Sequence, residues 1–260
     1  MQTAVPGWQS RFSLTGRKAL ITGASKGIGA EICAVFADAG ADIVAVARDG
    51  DGLAETARTV RERGRRCLTI AADMASPTEP AQAARQALQD WGTIDILVNC
   101  AGVARIAPAL DLTPEAWDET MAVNLRAPFL LAQALAPAMI AQGAGKIIMI
   151  SSQTGVIALQ DHAAYATSKG GLNALAKSLC AEWARHNLQV NAICPTVVMT
   201  PMGEKVWGDP AKGDPLRLAT PAQRFARPVE VADAALYLAS GASDMVNGAL
   251  LMVEGGFTSV

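Results

Sequence analysis

Three polar residues of this sequence, Ser152, Tyr165 and Lys169, have the types and the spacing to exchange a proton with a bound molecule. Tyr165 and Lys169 are four residues apart in a segment of helical period, which places both on one helix face. A free tyrosine has a pKa of about 10, and a neighbouring ammonium lowers it toward the range useful for acid–base catalysis. Ser152 follows a predicted strand, where its hydroxyl could hydrogen-bond a substrate oxygen. The alternative is a solvated helix face and an ordinary serine.

A glycine-rich turn at residues 22–29 separates the first predicted strand from a helix. Small residues let a pyrophosphate approach the backbone, and the helix N-terminus offers N–H groups and a partial positive charge. The spacing is G-x-x-x-G-x-G, which departs from the general G-x-G-x-x-G dinucleotide pattern. A glycine-rich turn without a ligand is the alternative.

The end of the second predicted strand indicates which nicotinamide nucleotide would bind. Enzymes that use NAD usually place a carboxylate there to hold the ribose 2′-hydroxyl, whereas this strand ends in Ala47 and is followed by Arg48. A guanidinium suits a 2′-phosphate, and Lys26 could add a second positive charge. The pattern favours NADP(H) over NAD(H), unless both cations are ordinary surface residues or Asp49 neutralises Arg48.

The order of predicted elements indicates an α/β fold. Short apolar segments alternate with Ala-rich segments of helical period, as in a parallel sheet covered by helices on both faces. The predicted strands are residues 18–21, 43–46, 68–71, 94–98, 146–150, 189–193 and 250–253, and the clearest helices are 27–39, 77–91, 114–140 and 163–186. No linker divides the chain, so we predict one doubly wound domain over residues 1–260, with a seven-stranded parallel sheet.

Two segments fall outside this pattern. Residues 1–14 are predicted to form an N-terminal arm. Residues 196–221, rich in Pro, Gly and Asp, are predicted to be a long substrate loop, either mobile or a lid over a site.

Composition excludes several function classes. The 260 residues carry a formal net charge of −2 with both signs intermixed, so no nucleic-acid surface is expected. Five scattered cysteines without a CxxC pair indicate a cytoplasmic protein, and two histidines without ligand spacing predict no metal site. The N-terminus lacks a signal-peptide pattern. The uncharged stretch 127–145 approaches the length of a membrane span, but its prolines, glutamines and glycines favour a buried helix, so no membrane association is expected.

Motifs along almost the whole chain resemble the short-chain dehydrogenase/reductase family. They are the 22–29 turn, Asn99-Cys100-Ala101-Gly102, Asn124, Ser152, Tyr165-Ala-Thr-Ser-Lys169 and the segment at Pro195, in the family's order. The resemblance implies a single-domain Rossmann fold, commonly a homotetramer, in an oxidoreductase that moves hydride between nicotinamide and a carbonyl/alcohol pair. Two positions depart from the family pattern: Cys100 stands where asparagine is usual, and Thr196 follows Pro195 where glycine is usual.

The resemblance also implies a catalytic role for each matching residue. Tyr165 would exchange a proton with the substrate oxygen, and Ser152 would orient the substrate. Lys169 would lower the tyrosine pKa and hold the nicotinamide ribose. Asn124 would hold a water that links Lys169 to solvent as a proton relay. Besides Tyr165 and Lys169, cofactor contacts are expected at Gly23, Ser25, Lys26, Gly27, Ile28, Gly29, Arg48, Asp73, Met74, Asn99, Ala101, Gly102, Pro195, Thr196, Val198 and Thr200.

Within the family, the sequence resembles the L-xylulose (dicarbonyl) reductase branch, whose substrates are ketoses and α-dicarbonyls. The resemblance lies in residues 191–210, in Ser151-Ser152-Gln153, in Asp161-His162 and in residues 253–257. It implies Gln153, His162 and Trp207 as substrate contacts beside Ser152 and Tyr165. The alternatives are that His162 caps a helix and that Trp207 only packs in its loop.

Two other functions remain open from the sequence. A 3-oxoacyl-carrier-protein reductase would share the catalytic residues, but it is expected to present a basic patch, and the stretch 58–66 fits a solvated helix face more simply. A non-catalytic regulator that senses the nucleotide would not need Ser152, Tyr165, Lys169 and Asn124 together.

Overall fold

Helices cover both faces of a central sheet in the computed structural model, which describes residues 7–260. The strands are β1 (Lys18–Thr22), β2 (Asp42–Ala47), β3 (Cys67–Ala71), β4 (Ile96–Asn99), β5 (Gly145–Ile150), β6 (Leu188–Pro195) and β7 (Leu250–Val253). The helices are α1 (Trp8–Phe12), α2 (Gly27–Asp38), α3 (Gly50–Glu62), α4 (Glu79–Trp91), α5 (Pro114–Met121), α6 (Ala127–Gln142), α7 (Ala163–Trp183), α8 (Pro201–Trp207), α9 (Pro210–Ala219) and α10 (Pro228–Ala239).

All seven strands are parallel, in the order β3-β2-β1-β4-β5-β6-β7. This is the doubly wound Rossmann arrangement that the sequence predicts, in a single domain. The strand order reverses between β1 and β4, and the carboxyl ends of strands beside such a reversal form the ligand crevice of open α/β sheets.

The predicted strands are confirmed to within about two residues at each end, and the largest shifts are at the end of β6 and at the start of β4. Strand β4 begins at Ile96 instead of residue 94. The carboxylate of Asp95 accepts a hydrogen bond from the N–H of Lys18 at 2.9 Å, and the Asp95 N–H donates to the Lys18 carbonyl at 2.9 Å. These contacts hold Asp95 at the start of β1, ahead of the regular β4 ladder.

Two apolar layers enclose the sheet. One contains α2, α3 and α10, with Phe36 and Ile32 fully buried, and the other contains α4, α6 and α7, with Leu131 and Leu135 fully buried. Strand residues buried on both faces explain the continuous apolar runs in the sequence. The layers leave the carboxyl ends of the strands open, which is where the candidate site lies.

The predicted helix 114–140 consists of α5 and α6 joined by a π-helical turn, Ala122–Arg126. The whole stretch, Pro114–Gln142, is long enough to cross a membrane and has a mean hydropathy of 1.3 over its most apolar window. Half of that window is buried inside the fold, as in the core helix of a globular protein. The other predicted long helix, 163–186, is α7 followed by a 3₁₀ turn, Ala184–His186.

The two segments predicted to be irregular are more ordered than expected. Residues 1–6 of the predicted arm lie outside the described residues. Beyond them, α1 places Phe12 against Tyr237 at 6.2 Å between ring centroids, and Leu14 is buried. The segment 196–221 is not an irregular loop, because it contains α8 and α9.

Candidate active site

A cleft of about 350 Å³ opens at the carboxyl ends of the strands. Every predicted site residue lines this cleft except Asn99 and Asn124. The glycine-rich turn and Arg48 form one part of its lining. Ser152, which follows β5, and Tyr165 and Lys169, which belong to α7, form another part. Helix α8 contributes Met202, Val206 and Trp207 to the wall.

The glycine-rich turn packs so closely that side chains would not fit at two positions. Gly23 has a φ of +66°, and a Cβ there would lie 2.9 Å from the Cα of Ala101. A Cβ on Gly29 would collide with the carbonyl of Gly23. The turn therefore leaves bare backbone at the start of α2, whose first N–H groups have no partner within the helix. This cradle fits the pyrophosphate of a dinucleotide.

The cradle is tied to two other parts of the cleft. The hydroxyl oxygen of Thr22 accepts hydrogen bonds from the N–H groups of Cys100 at 3.0 Å and Ala101 at 3.1 Å. Thr200, at the start of α8, approaches Gly27 so closely that a Cβ there would lie 3.2 Å from its methyl carbon. Thr200 thus brings the segment 196–221 into contact with the cradle.

We expect Gly29→Ala to lower the free energy of unfolding by about 1–3 kcal/mol, because the backbone of Gly23 must move to admit the methyl group. The distorted cradle should also bind NADPH more weakly. Gly50→Ala is the matched control, since a Cβ at Gly50 meets open space, and it should stabilise α3 by about 0.4–1 kcal/mol. Urea unfolding and nucleotide titration measure both, and equal stability of the two variants would contradict the clash.

At the far end of the cleft, Arg48 pairs with Asp73 and not with its neighbour Asp49. The Nη1 atom of Arg48 lies 3.7 Å from Oδ1 of Asp73. The carboxylate of Asp49 instead caps α3 by accepting a hydrogen bond from the Gly52 N–H at 3.1 Å. The sequence left open that Asp49 neutralises Arg48. In the structure the carboxylate that pairs with Arg48 is instead that of Asp73.

Tyr165 and Lys169 project from the first turns of α7 into the cleft. The Lys169 ammonium donates a hydrogen bond to the carbonyl of Ile150 at 2.8 Å and lies 5.6 Å from the centroid of the Tyr165 ring. Burial lowers the pKa of Lys169 to about 8, which leaves the group mostly protonated at neutral pH. The cation is thus close enough to stabilise a phenolate.

The pKa of Tyr165 moves in the opposite direction to the expected lowering. Burial of the phenol raises its pKa above 10, and a hydrogen bond with Ser152 offsets part of that rise. The spacing of Tyr165 and Lys169 could indicate their shared face but not the depth at which they lie. In this structure Tyr165 carries its proton at neutral pH, which is the form needed to donate to a substrate oxygen.

Ser152 is oriented by a residue that the sequence did not indicate. Its Oγ accepts hydrogen bonds from the N–H of Thr154 at 3.2 Å and from the hydroxyl of Thr154 at 2.9 Å. A serine oxygen has two lone pairs and one proton, so both lone pairs are engaged and the O–H can act only as a donor. A hydroxyl two residues after a strand-end serine is the signal that could have identified Thr154.

Asn124 lies behind the cleft, in the π-helical turn. Its amide oxygen accepts from the Val103 N–H, and its amide nitrogen donates to the Val103 carbonyl, both at 2.9 Å, and to Ser168 Oγ at 3.0 Å. A Cβ on Gly102 would lie 3.5 Å from the Asn124 oxygen and 3.7 Å from the Lys169 nitrogen. Gly102 thus separates two polar atoms that a water could join, and π turns are frequent at functional sites.

Asn99 is also outside the cleft wall. Its amide nitrogen donates to the sulfur of Met149 at 3.2 Å, and its amide oxygen is buried without a hydrogen-bond partner among the described residues. The side chain therefore supports the sheet beneath the cleft.

His162 lies between two aromatic rings. It stacks on Trp207 with 6.1 Å between ring centroids, and it meets the edge of Tyr165 at 6.1 Å. The Nδ1 atom faces the Gln160 carbonyl and so carries the proton, which leaves Nε2 as an acceptor in the neutral ring. The His162 side chain does not cap α7, and Trp207 packs beyond its own helix.

Two buried polar atoms near the catalytic residues have no partner among the described residues. They are Oε1 of Gln153 and Oγ1 of Thr196, whose residues both line the cleft. Buried polar atoms are nearly always hydrogen-bonded, so these two leave room for a hydrogen bond to a bound water or a polar ligand.

Comparison with known proteins identifies the relatives of this chain. A family model described as enoyl-(acyl carrier protein) reductase matches residues 23–258. D-threitol dehydrogenase of Mycolicibacterium smegmatis is 44% identical, with 95% of each chain covered. L-xylulose reductase of Bos taurus is 42% identical over 94% of this chain and 97% of its own, which bears out the resemblance to that branch.

A solved structure shows the same fold with a nucleotide bound. Gluconate 5-dehydrogenase from Burkholderia cenocepacia, in complex with NADP and tartrate, superposes with a TM-score of 0.92 at 41% identity, over 97% of this chain and 99% of its own. With the model match over nearly the whole chain, these similarities establish the family. The chain belongs to the short-chain dehydrogenase/reductase family of oxidoreductases, whose members use NAD or NADP.

Proposed function

We propose that this enzyme uses NADP(H) to interconvert a ketone and a secondary alcohol on a ketose, a polyol or an α-dicarbonyl compound. The observation that carries the proposal is the donor geometry around Ser152. Both lone pairs of Ser152 accept hydrogen bonds from Thr154, so its O–H can act only as a donor, and it lies within hydrogen-bonding reach of the protonated phenol of Tyr165. Two such donors on one oxygen are what a carbonyl needs when it becomes an alkoxide.

The bound nucleotide supplies or accepts the hydride, and the residues of the chain manage the proton. In reduction, the Tyr165 phenol gives its proton to the substrate oxygen while Ser152 donates a hydrogen bond to the same atom. The Lys169 ammonium, 5.6 Å from the Tyr165 ring, stabilises the phenolate that remains. A water held near Asn124 would return a proton to Tyr165 through Lys169. Oxidation runs through the same groups in reverse.

The polar part of the cleft favours a hydroxyl-rich substrate. Gln153 offers an unpaired amide oxygen, and His162 offers its Nε2 atom, on the wall next to Tyr165. Trp207 closes that side by stacking on His162. Dehydrogenases and reductases named for threitol, xylulose and gluconate are among the similar proteins, in agreement with such a substrate.

The basic stretch 58–66 gives little support to an acyl-carrier-protein substrate, because internal contacts engage most of its cations. Arg58 pairs with Glu55 and Glu62, Arg63 with Asp38, and Arg65 with Asp42. The guanidinium of Arg66 lies 4.9 Å from the centroid of a Trp91 ring. A docking patch for an acidic carrier would need such cations unpaired.

A substrate panel tests the proposal. Ketoses, polyols, α-diketones and a 3-oxoacyl thioester are assayed with both nucleotides, and the sugar-type substrates should give the highest kcat/KM, with NADP(H) preferred. Highest activity on the thioester would favour the acyl-carrier reductase, and no turnover of any substrate would overturn the proposal.

We expect Gln153→Leu to raise KM for a ketose by about 10-fold, the cost of about one hydrogen bond to a buried hydroxyl. An α-diketone without hydroxyl groups is the matched control, and its KM should change by less than about 2-fold. Initial-rate kinetics on both substrates measure the difference. Equal changes in the two KM values would show that Gln153 does not read substrate hydroxyls.

The assembly and location are proposed as a homotetramer in the cytoplasm. Trp117 on α5 and Phe129 on α6 are each 38% exposed, and large half-exposed aromatic side chains of this kind are typical of subunit contacts. Sedimentation equilibrium measures the subunit number. The five cysteines are free thiols, in agreement with a reducing compartment.

A further inference from the structure

Arg48, on which the proposed NADP preference rests, is engaged by a carboxylate. Its Nη1 atom lies 3.7 Å from Oδ1 of Asp73, and the two side chains are 63% and 39% exposed at the cleft. Within residues 7–260, Arg48 makes no other ion pair or side-chain hydrogen bond. Asp73 is therefore the one carboxylate that pairs with Arg48 among the described residues.

Asp73 is the fixed member of this pair. Its Oδ1 also accepts a hydrogen bond from the N–H of Ala75 at 2.9 Å, which closes a tight turn, and its own N–H donates to Glu79 at 2.8 Å. The guanidinium of Arg48 lies at the end of a long side chain, and its one ion pair within the described part of the chain is the contact with Asp73. When an anion draws the guanidinium away, Arg48 moves and the Asp73 carboxylate stays.

We infer that Asp73 sets the discrimination between NADP and NAD by competing with the 2′-phosphate for Arg48. The inference rests on the proposed use of Arg48 to read that phosphate. Binding of NADP separates Arg48 from Asp73 and leaves a carboxylate near the phosphate, whereas binding of NAD leaves the pair intact. Asp73 thereby limits the preference, and the enzyme accepts both nucleotides. Exposed ion pairs change equilibria by about two- to fivefold, which sets the expected size of the effect.

A second carboxylate separates direct competition from general negative charge. Asp49 adjoins Arg48 in sequence and lines the same cleft, but its side chain caps α3 through Gly52. Asp73→Asn removes one charge while retaining an oxygen for the Ala75 N–H. Asp49→Asn removes one charge in the same region, retains the cap and does not touch the Arg48–Asp73 pair.

The test measures the Kd of NADPH and of NADH by quenching of tryptophan fluorescence, together with KM for each, in the full chain. Asp73→Asn should raise the ratio of the NADH Kd to the NADPH Kd about two- to fivefold, whatever change it makes to the binding of both nucleotides alike. Asp49→Asn should change the ratio of the two Kd values by less than twofold. Arg48→Ala should lower the preference for NADPH, and Asp73→Asn should then have no further effect in that background.

The outcomes distinguish the inference from the proposal beneath it. If Arg48→Ala leaves the ratio of Kd values unchanged, the phosphate is read elsewhere and both fail. If Arg48→Ala lowers the ratio of the NADH Kd to the NADPH Kd but Asp73→Asn does not raise that ratio, only the competition by Asp73 is overturned. It is also overturned if Asp49→Asn raises the ratio equally, or if the effect of Asp73→Asn persists without Arg48.

Discussion

Replacing Tyr165 by phenylalanine is expected to reduce kcat by about 10²–10⁴-fold while NADPH binding survives. The change removes one hydroxyl and keeps the ring, so the edge contact with His162 at 6.1 Å is retained. What is lost is the proton that the substrate oxygen must receive. Because burial raises the pKa of Tyr165, the phenol is protonated across the neutral range, and reduction should vary little with pH between about 6 and 7.

The chain provides a matched control, because Tyr237 is its other tyrosine. Tyr237 packs against Phe12 and does not line the cleft, so Tyr237→Phe should keep wild-type turnover. Steady-state rates and a fluorescence titration with NADPH separate chemistry from binding. Turnover of Tyr165→Phe within tenfold of wild type would exclude this tyrosine as the proton donor.

The strands were predictable because their environment is uniform. In β5, Ile147 and Ile148 face opposite sides of the sheet and both are buried, so an apolar run without alternation indicates a central parallel strand. Side-chain periodicity likewise placed Tyr165 and Lys169 on one face of α7. These properties depend on neighbours along the chain or on the period of an element, which a sequence displays directly.

Helices α8 and α9 were missed because their prolines resemble breaks. Pro201 and Pro210 are the first residues of these helices, and the residue before each one caps it. Thr200 Oγ1 accepts from the Gly203 N–H at 3.1 Å, and Asp209 Oδ1 accepts from the Ala211 N–H at 3.0 Å. A capping residue followed by proline is a helix start, so the signal was present.

Properties set by distant residues were not predictable. The pairing of Arg48 with Asp73 depends on β2 and β3 lying side by side, with Ala47 opposite Ala71. The raised pKa of Tyr165 depends on how deeply the cleft encloses it. Neither the partner nor the depth is visible in a local pattern, and both change the electrostatics of the site.

Lys169→Met is expected to abolish turnover and at the same time to stabilise the nucleotide-free protein at pH 7. The fall of the Lys169 pKa from 10.5 to about 8 corresponds to about 3 kcal/mol of destabilisation from burying the charge. The variant leaves the Ile150 carbonyl without its donor at 2.8 Å, which lowers the free energy of unfolding by about 1–2 kcal/mol. A net gain of about 1–2 kcal/mol in the free energy of unfolding should remain. Urea unfolding at one fixed protein concentration measures it.

The pH dependence distinguishes this cause from better packing of methionine. Below about pH 8 the folded wild type carries the buried charge, and the full penalty applies. Above that pH the folded state loses the proton while the unfolded state keeps it up to about 10.5, so wild-type stability rises with pH. The advantage of Lys169→Met should therefore shrink between pH 8 and 10. Lys177→Met, at an exposed position of the same helix, should show no such trend. An advantage that stays constant with pH would show that the charge on Lys169 is not what destabilises the fold.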